Sequence, residues 1–403
     1  MMEPSDEFTT GVRSSDGRWP SPPATWSFSS LHEVGQCPRR WMLSRATYPD
    51  LWAGWGYPPR PPLPALVGDI VHAVLELLVH QIRDAGCPSL ADPGVVAVLK
   101  ELGGYTRLVE DGIERRLVDL ADNPRMMARI DPLRTALRAR VPDMRQRVQA
   151  LVARTSILLS PPTEDVAGGG TSNWLAPGAH PEVQLRAPEL RLGGRVDLLV
   201  VDDTGCEITD YKTGAADGHH ADQLRLYSLI WSRDAEHNPH SLPTRRLTLS
   251  YPTQDVEIAP LDDRALDALA LVTADAIEAA EAALAERPPP AYPQPDICGF
   301  CGVRQLCDDY WMARPNPMDR PDHGSEWFDF EGTVVEQNGS RSWLLATTAE
   351  PVLLLRTPSE AVPFGIGDHL RLLSLRREED DEASLPVAVL TSASEVFSLT
   401  DVG

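Results

Sequence analysis

A hydrophobic pattern with a period appears only after a polar lead. Residues 1–23 are rich in Ser, Asp and Pro and show no repeat, which predicts a disordered segment. Leu31, Val34, Trp41 and Leu43 then predict a short helix within Ser27–Tyr48, with Cys37 on it, before Pro58–Pro64 forces an extended connection. The run VGDIVHAVLELLVHQIR, Val67–Arg83, keeps apolar residues at helical spacing and predicts a buried helix. Two or three more helices are expected within Gly94–Leu159, broken at Pro124, Pro132 and Pro142, and Gly168–Gly170 marks a loop.

The period then shortens. Val183–Leu192, Val196–Val201 and Cys206–Tyr211 are β-prone runs separated by Gly-containing turns, which predicts a three-stranded meander. A helix at Ala221–Trp231, a strand at Arg246–Tyr251 and a long Ala-rich helix at Asp262–Arg287 follow, the last closed by Pro288–Pro290. After Trp311 a proline-bearing linker runs to Asp322. The runs GTVVEQ, SWLLATT, PVLLLRT, HLRLLSLR and VAVLTSA then predict a small closed barrel within Trp327–Leu399, and an OB-like fold suits it best. The expected fold class is α/β, a mixed sheet flanked by helices, followed by a small all-β domain.

A length of 403 residues fits two or three domains. There is no charged n-region followed by an apolar h-region and no unbroken apolar run of about 18–20 residues, so a cytoplasmic location is expected. The formal net charge of −22 argues against broad attraction to nucleic acid, so any contact with it must be local. No GxxxxGK[ST] string is present, and ATP-driven unwinding would need another protein.

The candidate chemistry lies on the meander. Asp210 and Lys212 are two apart on a strand and project to one side, and Asp197, on the neighbouring strand, can join them. Two carboxylates beside a lysine suit Mg²⁺ or Mn²⁺, which take oxygen ligands and retain waters. Such a metal polarises a phosphate and activates water, and a lysine stabilises the developing charge. A surface Asp–Lys pair at a strand end is the plain alternative. Gln223 and Tyr227, four apart in QLRLY, share one helix face, and His72 lies on the earlier apolar helix, as a further ligand or as an ordinary half-buried histidine.

Together, His72, the GRVD string ending at Asp197, the DYK string with Asp210 and Lys212, and QLRLY with Gln223 and Tyr227 resemble the RecB-like branch of the PD-(D/E)XK nucleases over Trp26–Trp311. The resemblance implies that His72, Asp197, Asp210 and the backbone carbonyl of Tyr211 bind Mg²⁺ or Mn²⁺. It makes Lys212 the catalytic lysine and gives Gln223 and Tyr227 to substrate. Glu182 is a candidate supporting residue. The expected architecture is a nuclease domain at 24–314 and an OB-like barrel at 325–403. The expected activity is metal-dependent hydrolysis of DNA, in repair or defence, as exonuclease or endonuclease, with a non-catalytic scaffold subunit as the alternative.

Cys298, Cys301 and Cys307 form a C-x2-C-x5-C run, and Cys37 lies near the folded N-terminus. Four thiolates hold either a [4Fe–4S] cluster or Zn²⁺, and spacing favours neither. Here the sequence resembles the AddB nuclease domain and CRISPR-associated adaptation nucleases, with one Cys before the core and three after it, which implies [4Fe–4S]. Cys87 and Cys206 fall outside the pattern. From Ser325 onward acids outnumber bases, so the barrel is expected to dock a protein, such as a helicase partner, rather than bind DNA with single-stranded character. Arg356, Arg371, Arg376 and Arg377 are its candidate nucleic-acid contacts.

Overall fold

The computed structural model describes residues 19–155, 157, 174–214, 217–314, 326–347 and 351–399. The expected disorder over 1–18, the Gly168–Gly170 loop and the linker at 315–325 lie outside these residues. The chain forms two compact units, one of residues 21–35 and 60–285, the other of 1–20, 36–59 and 286–403. Both cysteine segments therefore group with the C-terminal barrel, a division that cuts across a boundary near 314–325.

Two helices, α1 (Phe28–Gln36) and α2 (Pro38–Arg45), stand where one was expected. Pro38 cannot continue the hydrogen-bond ladder of α1 but is suited to a first helical turn. Cys37 is consequently not on a helix. It caps α2, its Sγ accepting from the Arg40 backbone N–H at 3.5 Å.

The larger unit continues with α3 (Leu63–Asp84), α4 (Pro93–Glu101), α5 (Gly104–Asp119), α6 (Ile130–Arg138) and α7 (Val141–Val152). Helix boundaries fall just before Pro132 and Pro142, which themselves sit inside the first turns of α6 and α7, where the leading N–H groups of a helix have no intrahelical acceptor to lose. Helix α3 is long and apolar enough to cross a membrane by length and composition. Here Leu66, Ile70, Val74, Leu78 and Ile82 are buried in a core shared with α4, α5, α7 and sheet residues Leu198, Val200 and Tyr211.

The sheet consists of β1 (Gly178–Ala187), β2 (Leu192–Asp202), β3 (Gly205–Tyr211), β4 (Thr244–Ser250) and β5 (Asp255–Ile258), in that order. The first three form the antiparallel meander. Between β3 and β4 comes α8 (His219–Arg233), so β4 returns parallel to β3, as a helical crossover requires. Strand β5 then pairs antiparallel with β4. Helix α9 (Asp263–Ala285) completes the unit. The expected strand Val183–Leu192 runs across a turn at Pro188–Arg191, where Arg191 takes a left-handed φ of 56°.

In the smaller unit the short helices α10 (Pro295–Cys298) and α11 (Asp308–Ala313) precede β6 (Trp327–Gln337), β7 (Ser342–Ala346), β8 (Pro351–Arg356), β9 (His369–Glu378), β10 (Val387–Val389) and β11 (Glu395–Ser398). Strands β6 to β8 form a meander and β9 returns to β6. Strand β10 closes the ring by pairing parallel to β8 and antiparallel to β9. The result is the closed five-stranded OB-like barrel that was expected, with β11 added on β9. Phe330, Leu345, Leu355 and Leu372 fill it.

Charged groups bind this barrel to the cysteine loop. The buried Arg371 of β9 donates to Glu331 at 2.7 Å, to the Gln305 carbonyl at 2.8 Å and to Asp308 at 2.6 Å, and lies over the Trp311 ring. Arg304 reaches Asp329 on β6 at 2.6 Å, and Tyr310 donates to the same carboxylate at 2.7 Å. Arg356 is likewise held by Glu378 and Asp380, and Arg377 covers Phe328. Arg371→Ala should lower the stability of this unit by about 2–3 kcal/mol, the scale of lost charged hydrogen bonds. Urea unfolding followed by tryptophan fluorescence measures it.

Candidate active site

Strands β2 and β3 pair as far as Leu198 and Thr209. Beyond that point the Asp197 Oδ2 accepts the Tyr211 backbone N–H at 2.7 Å, so the two strands stay joined through a side chain. His72 of α3 brings Nδ1 to 3.5 Å from the same oxygen. Glu182 on β1 completes a set, because ligand atoms of His72, Glu182 and Asp197 all lie within 4.8 Å of one another. Glu182 holds a left-handed φ of 53°, a strained conformation for a non-glycine residue, and that turns its backbone at the site. Asp210 is not one of this set. Its Oδ2 instead contacts Lys212 Nζ at 2.5 Å.

From Lys212 the contacts continue onto α8. Its Nζ donates to Gln223 Oε1 at 2.8 Å, and Gln223 Nε2 donates to Tyr227 Oη at 2.9 Å. The helical spacing of QLRLY thus lays both polar side chains along the strand end. Gly194 is what allows this approach, since a Cβ there would meet Tyr227 Cε1 at 2.6 Å. A Cβ at Gly68 of α3 would stand 2.9 Å from Thr213 Oγ1, so that helix also comes close to the segment after Lys212. Every residue assigned to the nuclease site by sequence is therefore present in one region of the larger unit. Sequence reasoning missed Arg195, paired with Glu182 at 2.5 Å, and Glu76, one turn after His72 and 3.3 Å from Arg195. The i, i+4 spacing of His72 and Glu76 could have flagged the latter.

Negative charge accumulates here. Burial and the neighbouring Asp197 push the Asp210 carboxyl well above the usual carboxylate range, against the pull of Lys212. Burial and Asp197 likewise raise Glu182 to about 7, although Arg195 opposes the shift. For His72 burial disfavours the charged ring, but the Asp197 hydrogen bond and the surrounding carboxylates outweigh it and raise its pKa. His72, Glu182 and Asp197 form a candidate metal site, whose donors are carboxylate oxygens and one imidazole.

The six cysteines do not form one group. Cys87 and Cys206 are buried elsewhere in the larger unit. Cys37, Cys298, Cys301 and Cys307 line one cavity with Leu43, Ile297, Val303, Arg40 and Arg304. Burial pushes the Cys301 thiol up and the Cys307 thiol up to about 11. Among the described residues, no three cysteine sulfurs lie mutually within 4.8 Å.

The mixed sheet, with α8 crossing between β3 and β4, thus brings together Asp197 in the middle of β2, Asp210 near the end of β3 and Lys212 just beyond it. The family model of the PD-(D/E)XK nuclease superfamily matches residues 25–308. The chain belongs to that superfamily. No curated protein matches it. Eleven chains of solved structures match. One of these, SSO0001, shares 17% identity over 48% of this chain and 81% of its own, with a TM-score of 0.23.

The pKa directions set a pH dependence. A carboxyl whose folded pKa is raised holds its proton while the unfolded chain has lost it, so the metal-free protein should lose stability as pH rises from the ordinary value of 4.5 to about 7, where Glu182 gives up its proton. A divalent ion binds the ionised form and reverses that cost. The rise in thermal midpoint on adding Mg²⁺ or Mn²⁺ should therefore be larger at pH 8 than at pH 6, as scanning fluorimetry can read.

Proposed function

We propose that this protein is a metal-dependent deoxyribonuclease of the RecB-like branch of its superfamily. The supporting observation is the continuous arrangement of His72, Glu182 and Asp197 beside Asp210, Lys212, Gln223 and Tyr227. His72, Asp197, Asp210 and the Tyr211 carbonyl would hold Mg²⁺ or Mn²⁺, with Glu182 as an added carboxylate. Bound there, such an ion would supply Lewis acidity toward a phosphate and toward a water. Lys212 has its Nζ held between Asp210 and Gln223, which supports a role in orienting a water and stabilising charge on the phosphate oxygens. Gln223 fixes Lys212 and is itself fixed by Tyr227, so these two residues act on substrate partly by ordering the lysine.

The four cysteines around one cavity support a [4Fe–4S] cluster on Cys37, Cys298, Cys301 and Cys307. Four thiolates would also hold Zn²⁺, which is the alternative occupant of this cavity. Arg40 and Arg304 on the cavity wall suit a negatively charged cluster. Its role is structural, joining residues near Cys37 to the loop that carries Arg304. Arg356 and Arg371 already serve carboxylates of the unit itself, which favours protein docking by the barrel, for instance to a helicase, over DNA binding.

Asp210→Ala and Lys212→Ala should each lower cleavage of end-labelled DNA by at least about 100-fold in Mn²⁺ while the far-ultraviolet circular dichroism stays unchanged; full activity in both variants would refute the assignment. Linear and circular substrates run in parallel separate exonuclease from endonuclease action. Cys301→Ala should abolish the iron content and the brown colour of anaerobically purified protein and lower its thermal midpoint. Zinc in place of iron in the wild-type protein would overturn the cluster.

A further inference from the structure

Arg195 stands two residues before Asp197 on β2, and both side chains line a cleft of about 560 Å³ together with His72 and Glu182. Among the described residues lining that cleft, Arg195 is the only Arg or Lys, whereas Asp69, Glu76, Glu182 and Asp197 are all acids. Asp69 is paired with Arg116 at 3.0 Å, so a phosphate entering the cleft meets chiefly Glu76, Glu182 and Asp197, and a chain of net charge −22 supplies no general attraction to offset them. Arg195 is 57% exposed at the side chain, yet its guanidinium is engaged by Glu182 at 2.5 Å and Glu76 at 3.3 Å.

Glu182 therefore has two competing demands on it. Its carboxylate pairs with Arg195, and it also belongs to the one group of His, Cys, Asp and Glu ligand atoms that lie mutually within 4.8 Å among the described residues. A carboxylate that ligates a divalent ion has less charge left for a guanidinium. Metal occupancy would leave Arg195 with Glu76 alone, at the longer of its two contacts. A freed guanidinium matches a phosphate bidentately and is weakly hydrated, which suits a contact made and released at an open cleft.

We propose that Arg195 is a phosphate clamp for the nucleic-acid strand, held by Glu182 in the metal-free protein and released when a divalent ion takes that carboxylate. Metal and strand then bind cooperatively, each favouring the other. The clamp rests on the reading of His72, Glu182 and Asp197 as a metal site.

The test is equilibrium binding of a fluorescent single-stranded oligonucleotide to the Lys212→Ala chain, which does not cut, with and without Mn²⁺ at fixed salt. Mn²⁺ should tighten binding by roughly 10-fold or more, the scale of one charged hydrogen-bonded contact. Adding Arg195→Gln should remove most of that gain and lower the slope of log affinity against log salt by about 0.7, the share of one phosphate contact on a single strand. Without Mn²⁺ the two proteins should bind alike, and Glu76→Gln should tighten metal-free binding. Calorimetric Mn²⁺ affinity should rise in Arg195→Gln, because the ion no longer has to displace a guanidinium from Glu182. The clamp is overturned if that variant keeps the full Mn²⁺-dependent gain and salt slope, or if it loses them only because it no longer binds Mn²⁺. Cleavage by the otherwise wild-type chain is followed alongside. Cutting that continues while the clamp fails leaves the nuclease reading intact, whereas a wild-type chain that binds no Mn²⁺ overturns both.

Discussion

The hydrogen bond from the Tyr211 backbone N–H to the Asp197 carboxylate is the constraint on which the site depends. Regular pairing of β2 and β3 has stopped by then, and the strands would otherwise be free to part. Because the acceptor is a side chain, the link also fixes where Asp197 points, and so where His72 meets it. Asp210 is the next residue along β3 from Thr209 and is thereby drawn into the same field of negative charge. Strand geometry and site electrostatics are in this way set by one contact. The large hydrophobic core around α3 supplies the rigidity that such a concentration of like charge needs.

Much of this was legible from residue patterns. The two-residue period of DYK placed Asp210 and Lys212 together, and the four-residue spacing of QLRLY placed Gln223 and Tyr227 on one face, as the contacts among them confirm. Glu182 was visible only as a weak candidate, since nothing in HPEVQ announces a left-handed backbone there. Arg195 was read as part of a string and not as a charge, because its partners Glu76 and Glu182 are distant in sequence. Strand β5 escaped notice for a different reason. Its Val256 and Ile258 do alternate with acids, but four residues are too short a run for that alternation to stand out.

The prolines show how the same residue type carries opposite messages. Pro132 and Pro142 do mark helix boundaries, yet they sit in first turns, where the lost N–H costs nothing. Pro38 does both things at once, ending α1 and starting α2, and this leaves Cys37 at a cap with its sulfur turned to the chain. Barrel closure was harder to foresee in detail. It depends on β10, three residues long, which pairs with strands on both sides.

The smaller unit is discontinuous in sequence, its cysteine segments coming from residues 36–59 and 286–403. During synthesis its first piece emerges long before its second, and Cys37 must wait for about 260 further residues before Cys298 exists. Most of the larger unit is made in that interval and has its full set of strands available to fold. The order of events is thus built into the chain: the sheet with its acids can form early, while the cysteine cavity and the barrel, closed only near residue 389, are necessarily late products of translation.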